Sequence, residues 1–265
     1  MNKTNKNQLK EERTILSGRF CGPPKSANGG FTAGLLAEFA NVISGEARLS
    51  MPTPVDAEFH VTAKPGEDAM FTDLSGNVLA RIVAVNPSEA AKFDLPVVPT
   101  LAEAREMGLA YAGFKQHPFP TCFVCGPERT HGDGMRIFVG SAPAQPGFDN
   151  LLAGVWSPDE TILDEDGKVR TAAIWGALDC PGGFAAVADD PRLIVLVKIR
   201  GHVLMRPLAG KEYVVLTWRT SKNDRSFRVM TAIFEDRGAN LVAIAEGLWL
   251  APRSWSAENQ KDMSA

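Results

Sequence analysis

A helix followed by four strand-like segments occurs twice in this chain, and that repeated order constrains the fold more than any single motif. In the first half, residues 31–43, FTAGLLAEFANVI, carry apolar residues at helical spacing after the glycine-rich stretch GPPKSANGG. RLSMPTPV, AEFHVTA, AMFTDL and NVLARIVAV follow, four short runs of strand composition punctuated by Pro, Gly, Asp and Ser. In the second half MRIFVG and LLAGVW precede a helical stretch from Thr171 to Val187, and RLIVLVKIRGHVLM, EYVVLTWRT, SFRVMTAIF and LVAIAEGLWL come after it. Short strands at close spacing make antiparallel meanders, and a helix buries its apolar stripe against another layer. The order predicts an α+β fold built from two copies of a helix wrapped by an antiparallel β-sheet. A single large α+β domain is the alternative. Between the halves, the acidic, Ala-rich LAEAREMGLAYAG reads as a surface helix leading into the Pro-rich HPFPTC. The expected division is an N-terminal domain over residues 1–110, a linker with a Cys-x-x-Cys over 111–132, and a C-terminal domain over 133–265.

Composition narrows the function classes. The 265 residues are 45% apolar and 22% charged, enough for one large or two small cores, which excludes disordered and fibrous architectures. Lys and Arg number 28 against 31 Asp and Glu, and without a basic block nucleic acid and anionic membrane surfaces are poor partners. No stretch approaches the ~18 continuous apolar residues of a membrane span. The polar start MNKTNKNQLKEERT has no apolar run behind its basic residues, so a cytoplasmic location is expected. Four cysteines are too few for a disulfide framework, which leaves Cys21, Cys122, Cys125 and Cys180 as reduced thiols or metal ligands.

Three local patterns then narrow the fold. Asn28-Gly29-Gly30-Phe31 runs straight into FTAGLLAEFA, CFVCGPERTHGDGMRIF occupies residues 122–138, and Leu178-Asp179 lies within IWGALDCPGGFAAV. In order and spacing they resemble the glycine turn, the Cys-x-x-Cys-Gly segment and the central-helix Leu-Asp of the hotdog superfamily of acyl-thioester enzymes. The resemblance covers nearly the whole chain as a tandem double hotdog. It implies thioester hydrolysis: amides of the Gly-Gly turn, at a helix N-terminus, face the carbonyl oxygen as it becomes an oxyanion, and an acid seven residues after the second glycine attacks or activates water. In dimeric members of the superfamily the turn and the acid come from opposite subunits.

Seven residues after Gly30 stands Ala37, with Glu38 one position on; seven before Asp179 stands Ala172, and Arg170-Thr171-Ala172 replace the glycine turn. Each half lacks what the other retains. The resemblance thus implies one composite site in which Gly29 and Gly30 face Asp179, with Asn28, Phe31, Trp175 and Cys180 around the substrate. Glu38 and Arg170 would line a degenerate second site. The implied substrate is an acyl-CoA or another small acyl thioester, with no cofactor beyond the coenzyme A thioester itself. A homodimer or higher oligomer is expected.

Simpler readings stand beside these. Asp179, followed by Cys180-Pro181-Gly182-Gly183, also fits the N-cap of a short helix FAAVAD. Gly29-Gly30 also fits a plain turn. His117, Cys122, Cys125 and His131 contain the donors of a tetrahedral zinc site, but with one Cys-x-x-Cys and no finger spacing a buried reduced pair and no metal are expected. His60 and His202 fall in strand segments. Arg192, Lys198, Arg200 and Arg206 suit either coenzyme A phosphates or a solvated sheet edge. Trp156, Trp175, Trp218, Trp249 and Trp255 all lie in the second half, most simply as core. Two other functions are kept: a non-catalytic module binding an acyl or aromatic ligand, and a hotdog hydratase or dehydratase. The latter resemblance needs a His five residues after the Asp, where Phe184 stands.

Overall fold

The computed structural model describes residues 9–252; the first eight residues of the polar start, and Trp255, lie outside it. Among the described residues eleven strands form one antiparallel sheet, in the order β1-β3-β4-β5-β2-β8-β11-β10-β9-β7-β6. The first half contributes β1 (Lys10–Ile15), the helix α1 (Gly29–Ala40), β2 (Ser44–Leu49), β3 (Glu58–Lys64), β4 (Asp68–Thr72) and β5 (Val78–Ala84). The second contributes β6 (Phe138–Ser141), β7 (Asp149–Trp156), α3 (Thr171–Val187), β8 (Val195–Val203), β9 (Tyr213–Lys222), β10 (Ser226–Phe234) and β11 (Leu241–Leu250); α2 (Leu101–Leu109) stands between them. Counted outward from the middle of the sheet, each half sets the four strands after its helix in the order first, fourth, third, second.

Period-two patterning explains the strands. In β3, Phe59, Val61 and Ala63 are buried and their neighbours are not, so one face meets the core and the other meets water. In β9 every residue from Tyr213 to Arg219 is buried, because both faces are covered. Tyr213 and Val215 join the core under α1 and α3, while Val214, Leu216 and Trp218 pack with Ala104 of α2 on the opposite face. The Thr100–Glu103 capping box starts α2, which lies on β6, β7 and β9. The helix placed at the end of the N-terminal domain by its sequence position thus packs on the second half, where its small residues cover an otherwise exposed apolar sheet face. Residues 111–132 likewise do more than tether. Phe123 is fully buried, its amide donates to the Cys21 carbonyl (2.8 Å), and its ring meets Phe20 and Phe31 edge-on.

One strand carries no signal in the sequence, and one expected strand is shifted. β1, KEERTI, is a sheet edge exposed on both faces, so no alternation marked it; its pairing with β3 carries the Arg13–Glu58 ion pair. The strand expected at RLSMPTPV begins earlier, at Ser44, and stops at Leu49, before Pro52 and Pro54 remove ladder donors. Among the described residues no helix is long and apolar enough to cross a membrane.

The halves join where β2 pairs with β8, Glu46 lying opposite Arg200. Glu46 accepts from Arg200 Nε and Nη2 (3.0 and 2.7 Å) and from Lys198 Nζ (3.3 Å). Burial pushes its carboxyl up, but these cations outweigh it and hold Glu46 below its ordinary value. A lowered acid stabilises the fold above its unfolded pKa and loses that contribution as pH falls through the lowered one. Glu46→Gln is expected to cost about 1–2 kcal/mol at neutral pH, a deficit relative to wild type that shrinks below pH ~4 in chemical denaturation at several pH values.

Candidate active site

The site begins at the N-terminus of α1. Asn28 caps the helix, its Oδ1 accepting from the Phe31 amide (2.8 Å) while its side-chain N–H donates to Cys180 Sγ (3.2 Å). In the first turn, the Gly30 amide donates to Asp179 Oδ2 at 2.7 Å. Glycine is required there: a Cβ on Gly30 would fall on the Asp179 Cβ and the Trp175 carbonyl. At the next turn a Cβ on Gly34 would come within 2.6 Å of the Ala172 Cα, so small residues let α1 and α3 cross almost in backbone contact.

Asp179 is in mid-helix rather than at an N-cap. α3 runs unbroken from Thr171 to Val187 through Pro181, because packing on α1 and the sheet offsets the one hydrogen bond that Pro181 cannot donate. Its carboxylate does cap a helix, but that helix is α1. Asp179 is 3% exposed and its Oδ1 has no hydrogen-bond partner among the described residues. Burial pushes its pKa up to about 7 against the pull of the Gly30 and Asn28 donors, with the Cys122 sulfur nearby adding to the rise. A carboxyl poised near neutrality is matched to proton transfer.

The related crossing is built from Glu38. Its Oε1 accepts from the Ala172 amide (2.8 Å), the counterpart of the Gly30–Asp179 bond. Arg170 fills the space beside it with bonds of 3.2 and 2.6 Å to the same carboxylate, and its guanidinium lies 5.4 Å over the Phe31 ring. Glu38→Leu leaves the Arg170 charge and the Ala172 amide without their acceptor. It is expected to cost about 1–3 kcal/mol, read as a lower thermal midpoint.

Beside Asp179 opens a cavity of about 580 Å³, whose wall includes Asn28, Gly29, Cys180, Phe184 and Trp249. Of the residues expected around a substrate, Asn28 and Cys180 line it. Phe31, Trp175, Glu38 and Arg170 do not line it. Phe31 stacks on Phe20, and Trp175 is fully buried against Gly201 of β8, so both are core. Of the basic residues, Lys198 and Arg200 are engaged by Glu46, and Arg206 by Asp164 and Asp166. Arg192 lines the cavity and pairs with Asp190. His202 is buried, neither ring nitrogen has a partner among the described residues, and burial lowers its pKa. His60 lies on β3.

The cysteines regroup. Cys122 and Cys125 meet Cys180 rather than His131, which is exposed and bridges to Gly134. His117 approaches the group through Cys125 (3.3 Å). A sequence separation of 58 between Cys122 and Cys180 hid this cluster.

No protein-family description and no curated protein matches the sequence. Solved structures do. An acyl-CoA thioesterase II, TesB2, from Mycobacterium marinum superposes with a TM-score of 0.59 at 12% identity, covering 94% of this chain and 98% of its own. A tesB protein from Mycobacterium avium subs paratuberculosis gives 0.59 at 9% identity over 95% of both chains. A conserved protein of unknown function from Alicyclobacillus acidocaldarius, described as having a hot dog fold, gives 0.57 at 14% identity, covering 92% of this chain and 94% of its own. The chain has the hot dog fold. α1 and α3 pack on each other and on the sheet, and the Gly30–Asp179 bond lies where the two meet.

Proposed function

We propose that the chain is a double hot dog, two units fused in tandem, and that it hydrolyses an acyl thioester at one composite site between them. The repeated strand order and the paired crossings, Gly30 with Asp179 and Ala172 with Glu38, support the tandem reading. So do full-length likenesses to proteins described as acyl-CoA thioesterase II and tesB protein. The reaction rests on one observation: a buried carboxyl from the second half, held by an α1 amide of the first, in the wall of a largely apolar cavity.

Gly30 fixes Asp179 through Oδ2 and leaves Oδ1 to act. Oδ1 takes the proton of an attacking water, or itself attacks the thioester carbon. The carbonyl oxygen gathers negative charge and is received at the positive end of α1, where Gly29 lines the cavity. The thiolate leaves as the tetrahedral centre collapses and takes up a proton; where Asp179 is the nucleophile, water then cleaves the resulting anhydride, releasing the acid and regenerating the carboxylate. Apolar walls at Phe184, Leu196 and Trp249 take the acyl group. At the other crossing Arg170 closes the space, so one site per chain is expected. The test is release of free thiol from short, long and aromatic acyl-CoAs, which ranks the acyl groups. Binding without chemistry is the second reading, favoured by the Gly30 amide being already engaged by Asp179. A hydratase is disfavoured: Phe184 stands at the fifth position, and His117 is held by Phe119 and Cys125.

A further inference from the structure

Three thiols from two distant parts of the chain meet in the cavity wall. Cys122 and Cys125 come from the Cys-x-x-Cys-Gly turn, closed by the Gly126 amide donating to the Cys122 carbonyl (2.8 Å). Glycine is needed at that turn, since a Cβ on Gly126 would lie 2.5 Å from the Cys122 and Pro120 carbonyl oxygens. Cys180 arrives from α3. The Cys122 and Cys180 sulfurs are 3.6 Å apart, and all three lie within 4.8 Å of one another. A zinc–sulfur bond of about 2.3 Å sets the edge of a ZnS tetrahedron near ~3.8 Å, so small side-chain rotations bring the trio onto one ion.

The surrounding groups suit thiolates. The Asn28 side chain donates to Cys180 Sγ at 3.2 Å. His117 Nδ1 accepts from the Phe119 amide at 2.9 Å, so the neutral ring carries its proton on Nε2 and donates it to Cys125 Sγ at 3.3 Å. That tautomer leaves His117 no lone pair for a metal and makes it a positioning residue for a thiolate ligand. Cys21 stands apart, bonded to Arg129 and to the Thr121 carbonyl.

We propose that Cys122, Cys125 and Cys180 bind one zinc ion as thiolates, with a fourth position open to the cavity. Binding releases the three thiol protons to solvent and forms three Zn–S bonds, with no change of oxidation state; a water completes the tetrahedron. Three soft thiolates select zinc over magnesium or calcium. The site goes beyond the thioesterase reading and does not depend on it.

The test uses the full chain, purified from zinc-supplemented cells without chelator and assayed for metal by mass spectrometry. The stripped, reduced protein is then titrated with cobalt(II) as a spectroscopic probe. One zinc per chain is expected, with a thiolate-to-cobalt charge-transfer band that saturates at one equivalent. Cys122→Ser and Cys180→Ser bring both readings to background, while Cys21→Ser keeps both. Wild-type protein with neither bound zinc nor a cobalt–thiolate band overturns the proposal. Full zinc occupancy in Cys180→Ser does so too, as does a Cys122–Cys180 disulfide in the protein as isolated. The wild-type arms stand even if a variant fails to fold, which circular dichroism reports.

Discussion

Asp179→Asn is expected to remove thioester hydrolysis while leaving the fold in place. The substitution keeps size and shape, and the amide oxygen still accepts from the Gly30 amide, which is the bond that ties α3 to α1 at this point. Burial already disfavours the charged carboxylate, so a neutral side chain in its place is tolerated. What disappears is the oxygen able to take a proton or attack the carbonyl carbon. A fall in kcat of about 10²–10⁴-fold is expected, with KM little changed because the apolar walls are untouched. Steady-state thiol release beside a thermal melt reads both. A variant that melts with the wild type and turns over at the wild-type rate would remove Asp179 from the chemistry.

Gly30→Ala carries the largest expected effect on stability. The added methyl would meet the Asp179 Cβ and the Trp175 carbonyl, and neither is the tip of a flexible side chain. α1 and α3 must separate, with a loss of roughly 3 kcal/mol and a thermal midpoint lower by roughly 6–12 °C. Separation also lengthens the Gly30–Asp179 bond, so turnover falls in the fraction that stays folded. Gly29→Ala is the control one residue away: its methyl meets the ends of Leu49 and Leu196 at 3.0 and 3.3 Å, which can give, and the Leu196 Cβ at an ordinary contact of 3.5 Å. Equal melting of Gly30→Ala and wild type would contradict the close crossing.

Periodicity carried much of this architecture into the sequence. α3 was legible from Thr171 to Val187 and the strands after it were legible almost to the residue, because their apolar runs are long and cleanly punctuated. β1 was not, since an edge strand wetted on both faces has no alternation to show. The packing of α2 on the far half was hidden for a related reason: an Ala-rich helix looks like surface until one knows which sheet face lies bare.

The spacing that placed Asp179 opposite Gly30 came from resemblance rather than from residue chemistry, and the two groups lie within hydrogen-bonding distance. The same spacing put Ala37 where the first half's acid was expected. Glu38, one residue farther and one methylene longer than Asp, still reaches the Ala172 amide. Phe31 and Trp175 illustrate the opposite limit. Helical spacing puts a residue near a site, but whether its ring faces a cavity or the sheet depends on the neighbouring layer. Proximity across 58 residues, as between Cys122 and Cys180, has no local signal at all.

The central claim, hydrolysis at a site shared by the two halves, is tested most directly by measuring binding and thiol release with the same acyl-CoA on wild-type protein. Saturable binding is expected, accompanied by steady release of coenzyme A at a rate that saturates over the same concentration range. Tight, saturable binding with no release of thiol for any acyl group would contradict it and make the cavity a binding site without chemistry.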